Sequence, residues 1–252
     1  MAMRPEARHP FMEWDGLLAF AHRGGLSEAP ENTLPAFAHA VDLGYTYLET
    51  DVHLTSDGVL VAFHDEDLER TCGRPGKIAD LTWAEVSEAR VDGKEPIPRF
   101  DELLESFPHA KINVDCKADE TVDPLMDLLK SMNVLPRICV GSFSDRRLRR
   151  VRRRLGDAVC TSLGPVETTR LRTGARTPAA AHAAQVPTTA GPLTIVSEKF
   201  VERAHRRGLQ VHVWTIDDAA EMERLIDLEV DGIMTDQPEV LKSVLVARGL
   251  WV

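Results

Sequence analysis

The chain has 252 residues, 43% of them apolar and 28% charged, a balance ordinary for a soluble globular protein and a length that suits an α/β barrel of roughly 250 residues. A formal net charge of −10 argues against general nucleic-acid binding, which takes a basic footprint to neutralise phosphates. No stretch approaches the roughly 18 apolar residues of a membrane span, and no basic-then-apolar leader opens the chain, so no nucleic-acid partner, no transmembrane segment and a cytoplasmic location are expected.

Residues 1 to about 15 show no periodicity and include Pro5 and Pro10, which predicts a loose arm. Gly16 to Ala21 is an apolar run closed by His22-Arg23-Gly24-Gly25, as a buried parallel strand would be. Next, Asn32 or Thr33 can cap a helix whose first turn takes Pro35; Phe37, Ala40 and Val41 stripe it and Gly44 ends it. Strand Tyr45 to Leu54 follows, so the opening reads as a βαβ unit.

Asp57-Gly58 between two apolar runs is a strong hairpin signal. A two-residue turn there places His64 across from Asp51, and period-two alternation puts Glu49, Asp51 and His53 on one face. From Glu66 to about Asp101 the pattern loosens into an insertion with one short helix near Thr82 to Ala89. Alternation then resumes. Helices are predicted near Phe100 to Phe107, Pro124 to Met132, Asp145 to Leu155, Val166 to Ala181, Ser197 to Arg207 and Asp217 to Leu228, with one more at the C-terminus. The strands between them are Lys111 to Cys116, Ile138 to Phe143, Ala158 to Leu163, Ala184 to Val186, Leu209 to Ile216 and Gly232 to Thr235. Eight strands separated by helices predict an α/β fold, a TIM (β/α)8 barrel over residues 1–252 with a small insertion after the second strand, at about 66–101.

Two compositional features read as structure. The four cysteines, Cys72, Cys116, Cys139 and Cys160, include no C-x-x-C pair, so neither a zinc site nor a disulfide framework is expected. Seven arginines lie between Asp145 and Leu155, yet Leu148, Val151 and Leu155 form an apolar stripe, so a solvated outer helix face is expected.

In this barrel, side chains at the C-terminal ends of the strands share one pocket. The polar residues fall there: His22 and Arg23, Glu49 and Asp51, Asp115 and Lys117, Trp214 and Asp236, with His64 beside Asp51. Three carboxylates without sulfur favour a hard ion such as Mg2+ or Ca2+. Arg23 and Lys117 suit a phosphate group, and two histidines can exchange protons near neutral pH. The reaction class is metal-assisted cleavage of a phosphate ester. Taken singly, His22 also suits a backbone-bonded strand end, Lys117 an ion pair with Asp115, and Trp214 core packing.

Ala21-His22-Arg23-Gly24, Pro30-Glu31-Asn32-Thr33, Glu49-x-Asp51 with Asp57-Gly58 and His64-Asp65, Leu68-Glu69-Arg70-Thr71, Ile97-Pro98, Asp115-x-Lys117, Val213-Trp214-Thr215 and Thr235-Asp236-Gln237-Pro238 occur in this order. In this the chain resembles the glycerophosphodiester phosphodiesterases. The resemblance implies His22 and His64 as the acid-base pair, one divalent cation on Glu49, Asp51 and Asp115, Arg23 and Lys117 on the phosphate, and Trp214 along the substrate pocket. It implies hydrolysis of a small-molecule glycerophosphodiester to sn-glycerol 3-phosphate and an alcohol. Two positions depart from the family pattern: Asp115 stands where glutamate is usual, and Asp217 where asparagine is frequent. Alternative readings are a lysophospholipase D-like enzyme on lipid substrates and a non-catalytic phosphodiester-binding barrel. The oligomeric state and head-group preference are not encoded legibly.

Overall fold

The computed structural model describes residues 5–178 and 180–252. Eight parallel strands form its centre: β1 (Leu18–His22), β2 (Tyr47–Leu54), β3 (Lys111–Cys116), β4 (Ile138–Gly141), β5 (Cys160–Thr161), β6 (Ala183–Val186), β7 (Gln210–Val213) and β8 (Gly232–Thr235). β1 pairs with both β2 and β8, and the sheet runs onward in chain order from each side. Between β5 and β6 there is only a bridge from Ser162 to Ala183, reinforced by Leu163 N–H donating to Ala183 O at 2.8 Å and His182 N–H to Thr161 O at 2.9 Å. The barrel is therefore nearly closed.

A helix follows each strand or its extension: α1 (Leu34–Asp42), α2 (Phe100–Ser106), α3 (Val122–Ser131), α4 (Asp145–Leu155), α5 (Pro165–Thr173), α6 (Glu198–His205), α7 (Ala219–Asp227) and α8 (Pro238–Ala247). Their apolar faces close over the strands' outer side chains in one large cluster. The sequence marks many ends. Ser144 accepts from Arg147 N–H at the start of α4, and Asp218 from Glu221 N–H at the start of α7, filling first-turn donors that have no partner within the helix. At α1 the N-cap is Thr33, but its hydroxyl donates to Pro30 O at 2.7 Å instead of capping. The expected helix through Ala181 ends at Thr173; Ala179 lies outside the described residues.

Around α4 most of the arginines are exposed, as expected, and several pair with carboxylates on α3 or just before it. Arg147 meets Asp119 at 2.8 Å, Arg150 meets Asp123, and Arg154 meets Asp123 and Asp127. Arg152 instead turns inward and forks onto Glu167 at 2.8 and 3.0 Å, both side chains buried. Leu148, Val151 and Leu155 are buried as the stripe requires.

The loose arm expected over residues 1 to about 15 is a correction, apart from residues 1–4, which lie outside the described residues. Phe11 and Met12 form a short helical turn and are fully buried with Leu18, Phe20, Tyr47, Cys139, Cys160, Ala183 and Met234. Three donors hold it there: Tyr47 to Phe11 O at 2.8 Å, Lys111 Nζ to Pro10 O and Glu13 O at 2.8 Å each, and Gln210 Nε2 to Met12 O at 3.2 Å. The arm lacks periodicity because it plugs the N-terminal end of the barrel as irregular chain.

The hairpin register is a second correction. Val52 faces Ala62, His53 faces Val61 and Leu54 faces Leu60, one residue away from the register that sets His64 opposite Asp51. The loop has three residues, Ser56 to Gly58. Thr55 N–H donates to Val59 O at 2.9 Å, and the Thr55 hydroxyl accepts from Val59 N–H while donating to Asp57 at 2.6 Å. Gly58 supplies φ +87°, the left-handed step that such loops need. Beyond the return strand (Leu60–Ala62), a second apolar cluster of Val61, Phe63, Leu68, Ile78, Val86, Ala89, Val91 and Ile97 supports the loops up to α2. Its short helix starts at a capping box between Thr82 and Glu85.

Candidate active site

A cavity of about 440 Å3 opens at the C-terminal end of the strands and is lined by His22, Arg23, Glu49, Asp51, His64, Asp115, Lys117 and Trp214; Asp236, expected in the same pocket, does not line it and sits behind His22. The volume is in the range of small-molecule sites. His22 ends β1, Glu49 and Asp51 point inward from β2, and Asp115 does so from β3 in direct register with Asp51. After β1 the chain reverses through Arg23, Gly24 and Gly25, all at positive φ. Gly24 has no room for a side chain, since a Cβ there would lie 2.8 Å from the Ala36 Cβ and 2.9 Å from backbone at Phe37.

Each histidine has a carboxylate at Nδ1. His22 Nδ1 lies 2.7 Å from Asp236 Oδ1 and His64 Nδ1 lies 2.6 Å from Asp65 Oδ1. An ionised carboxylate only accepts, so Nδ1 carries the proton in both rings and Nε2 is left for chemistry. For His22 burial favours the neutral ring, but Glu49, 3.7 Å from Nε2, and Asp236 outweigh it and raise the pKa. Asp65 loses some solvation, which would raise its pKa, yet Arg70 and His64 pull it down to about 2.

The cations interlock with the carboxylates. Lys117 Nζ stands 2.7 Å from Asp51 Oδ1 and 2.9 Å from Asp115 Oδ2. Arg23 reaches Glu31 at 3.0 Å and approaches Asp51 at 3.7 Å, while its own N–H donates to Glu49 at 3.2 Å. Burial and the charge of Asp51 push the Glu49 carboxyl up to about 7. Burial likewise raises Asp115, whereas Asp51, despite its burial, is held below the usual carboxylate range by the Lys117 ammonium. Asn32, at φ +57°, fixes Asp51 by donating to Oδ2 at 3.3 Å and accepting from Thr50 at 2.8 Å.

Whether these residues suit a divalent cation can be tested on the donors. Glu49, Asp51 and Asp115 are buried hard oxygen donors, Asp115 Oδ1 is buried without a hydrogen-bond partner, and burial, with the Asp51 charge beside it, makes Glu49 hard to keep ionised. These are the marks of a carboxylate cluster short of positive charge, and the donor set fits Mg2+ or Ca2+. As arranged, no three His, Cys, Asp or Glu side chains among the described residues converge on a point; Lys117 occupies the space between Asp51 and Asp115.

Several neighbours escaped sequence reading. Phe143, 66% exposed, packs edge-on to Trp214 with centroids 5.6 Å apart, and Lys117 lies 5.9 Å from its centroid. Asn113 and Gln185 form the floor, with Gln185 Nε2 donating to Asn113 Oδ1 at 2.7 Å. Asn113 stands two residues before Asp115 and so shares its face, a signal that alternation could have supplied; Gln185 is the polar break in an apolar strand. His53, expected on the metal face, does not line the cavity. Its Nε2 donates to the His64 carbonyl at 3.0 Å, fixing that loop. Asp217 also stays out of the cavity and accepts from the Thr235 hydroxyl at 2.9 Å and Asp236 N–H at 2.8 Å.

Comparison with known proteins gives the family and the fold. Residues 22–240 match the glycerophosphoryl diester phosphodiesterase family. A Mycobacterium tuberculosis (strain ATCC 25618 / H37Rv) protein named "Probable glycerophosphodiester phosphodiesterase 2" is 36% identical, covering 96% of this chain and 95% of its own. A glycerophosphodiester phosphodiesterase of Caldanaerobacter subterraneus subsp. tengcongensis is 32% identical over 92% and 98%. Among solved structures, one from Silicibacter pomeroyi superposes with TM-score 0.81 at 22% identity, covering 100% and 98% of the two chains. An Oleispira antarctica phosphodiesterase in complex with the product sn-glycerol-3-phosphate does so with TM-score 0.78 at 23% identity, covering 92% and 97%. With motifs, barrel and relatives in agreement, the chain belongs to the glycerophosphoryl diester phosphodiesterase family and is a phosphoric diester hydrolase.

Proposed function

We propose that this enzyme hydrolyses glycerophosphodiesters to sn-glycerol 3-phosphate and an alcohol, with a divalent cation required and His22 and His64 transferring the protons. The observation that carries the reading is the pairing of two histidines, each fixed at Nδ1 by its own carboxylate, with Arg23 and Lys117 around one cavity. The names of the relatives and the product bound in the Oleispira antarctica enzyme support the substrate class.

Arg23 and Lys117 bind the phosphodiester and face the charge that builds on its non-bridging oxygens. His22, biased toward its protonated form, is suited to give a proton to the leaving alkoxide oxygen; His64 takes one from the attacking hydroxyl. The attacking group is water, or the neighbouring glycerol hydroxyl through a cyclic phosphate that water then opens. Glu49, Asp51 and Asp115 would hold the cation, which supplies further charge neutralisation at phosphorus when bound.

The test is a coupled assay for glycerol 3-phosphate released from glycerophosphocholine by metal-stripped protein, with and without Mg2+ or Ca2+. Release only with an ion is expected. Release unchanged by chelation would remove the cation from the reading. A second reading, lysophospholipids as substrates, draws on Phe143, which lines the cavity and is 66% exposed, and on the exposed Val166 and Leu193, which adjoin the lining residues Pro165 and Ala190 in sequence and in strand pairing. Turnover of a lysophospholipid with none of glycerophosphocholine would favour it.

A further inference from the structure

Two sequence segments without a residue in the acid-base or phosphate-binding roles, Pro30-Glu31-Asn32-Thr33 and Leu68-Glu69-Arg70-Thr71, meet at Arg70. Its guanidinium reaches two carboxylates at once. Nη2 and Nη1 donate to Glu31 Oε1 and Oε2 at 2.6 and 3.0 Å, and Nε donates to Asp65 Oδ2 at 2.5 Å. Both carboxylates lead onward into the cavity. Glu31 Oε1 also accepts from Arg23 Nη1 at 3.0 Å, and Asp65 Oδ1 holds His64 Nδ1 at 2.6 Å. One half-exposed side chain thus joins a site histidine to a site arginine.

The geometry points to Arg70 as a positioning residue that sets His64 and Arg23 relative to each other, through Asp65 and Glu31, without touching substrate. This rests on the phosphodiesterase reading of the site. Without Arg70, the bond to His64 is what remains on the Asp65 side chain among the described residues, and Asp65 can carry the ring away from the phosphate; Glu31 can likewise draw Arg23 aside. Lysine would not replace it, because a point charge cannot fork onto two carboxylates as a planar guanidinium does. The role also explains the loops between the hairpin and α2. Leu68 and Ile78, fully buried in their own apolar cluster, anchor the helical turn Glu69–Cys72 from which Arg70 projects.

The experiment compares Arg70→Met, Arg70→Lys and, as a surface control losing the same charge, Lys77→Met, since Lys77 is exposed and pairs with the exposed Glu66. Arg70→Met is expected to lower kcat roughly 10- to 100-fold, the scale of sub-ångström to ångström misplacement, and to weaken calorimetric binding of inorganic phosphate several-fold, while Tm stays near that of Lys77→Met. Arg70→Lys should recover only part of the loss. In a double-mutant cycle Asp65→Asn should cost far less in the Arg70→Met background than alone, the coupling expected of residues acting as a unit. Wild-type kcat and phosphate binding in folded Arg70→Met, full recovery in Arg70→Lys, or additive effects of Arg70→Met and Asp65→Asn would each overturn the bridge. A wild-type protein that neither turns over glycerophosphodiesters nor binds phosphate would overturn the functional reading and the bridge with it.

Discussion

His22 and His64 differ in their surroundings although each holds a carboxylate at Nδ1. His22 sits between Asp236 and Glu49, while His64 is tied through Asp65 to Arg70. His22→Ala and His64→Ala are each expected to lower kcat by about 10²–10⁴, with circular dichroism and Tm near wild type because neither ring fills the apolar core. Near-normal turnover in either would remove that residue from proton transfer. His22 was legible in the sequence because it is polar where a barrel strand ends, whereas His64 was singled out through a hairpin register that is off by one residue, and it lines the cavity from the loop after the return strand. Their partners were less so. Arg70 lies 39 residues from Glu31 and Phe143 lies 71 from Trp214, and no periodicity connects such pairs.

Among elements, the N-terminal arm and the hairpin show where local pattern loses to packing. Phe11 is fully buried and stacks near Phe20 and Tyr47. Phe11→Ala should therefore destabilise by about 3–5 kcal/mol, read as a lower urea midpoint, while kcat in buffer stays within a few-fold because the cavity is at the other end of the barrel. A surface-like loss below 0.5 kcal/mol would mean that the arm is not a plug. In the turn after β1, Gly24→Ala meets both a left-handed φ of +85° and a 2.8 Å clash with Ala36. It should lower stability and activity together, because relief moves α1 or the Arg23 backbone. Barrel strands β1 to β8 and helix α4 were readable from apolar runs and caps; the register of the hairpin was not, because one hydroxyl, that of Thr55, decides whether its loop has two residues or three.

Across the whole molecule, pH is expected to act on the end of the barrel opposite the cavity. His182 is buried beside His9, centroids 5.4 Å apart, and accepts from Thr161 N–H at 3.2 Å. Burial and the neighbouring His9 lower its pKa to about 4. The unfolded chain takes up that proton near pH 6.5, so between about pH 6.5 and 4 the unfolded state binds more protons and stability falls as pH falls. The loss at full protonation is on the order of 3 kcal/mol. Urea midpoints at pH 7 and pH 5 should differ less in His182→Asn, which keeps an acceptor and cannot titrate, than in wild type; equal differences would exclude His182 as the source.

The sequence by itself determined the order of strands and helices, the barrel they imply and the set of charged residues at the strand ends, because these depend on period, turn chemistry and residue type within about ten residues. Only the tertiary structure decided what those charges do to one another. Lys117 between Asp51 and Asp115, Arg70 across Glu31 and Asp65, and the plug of Phe11 and Met12 join residues distant in sequence. Their geometry follows from how the helices and loops pack around the nearly closed sheet, and packing is a property of the whole chain.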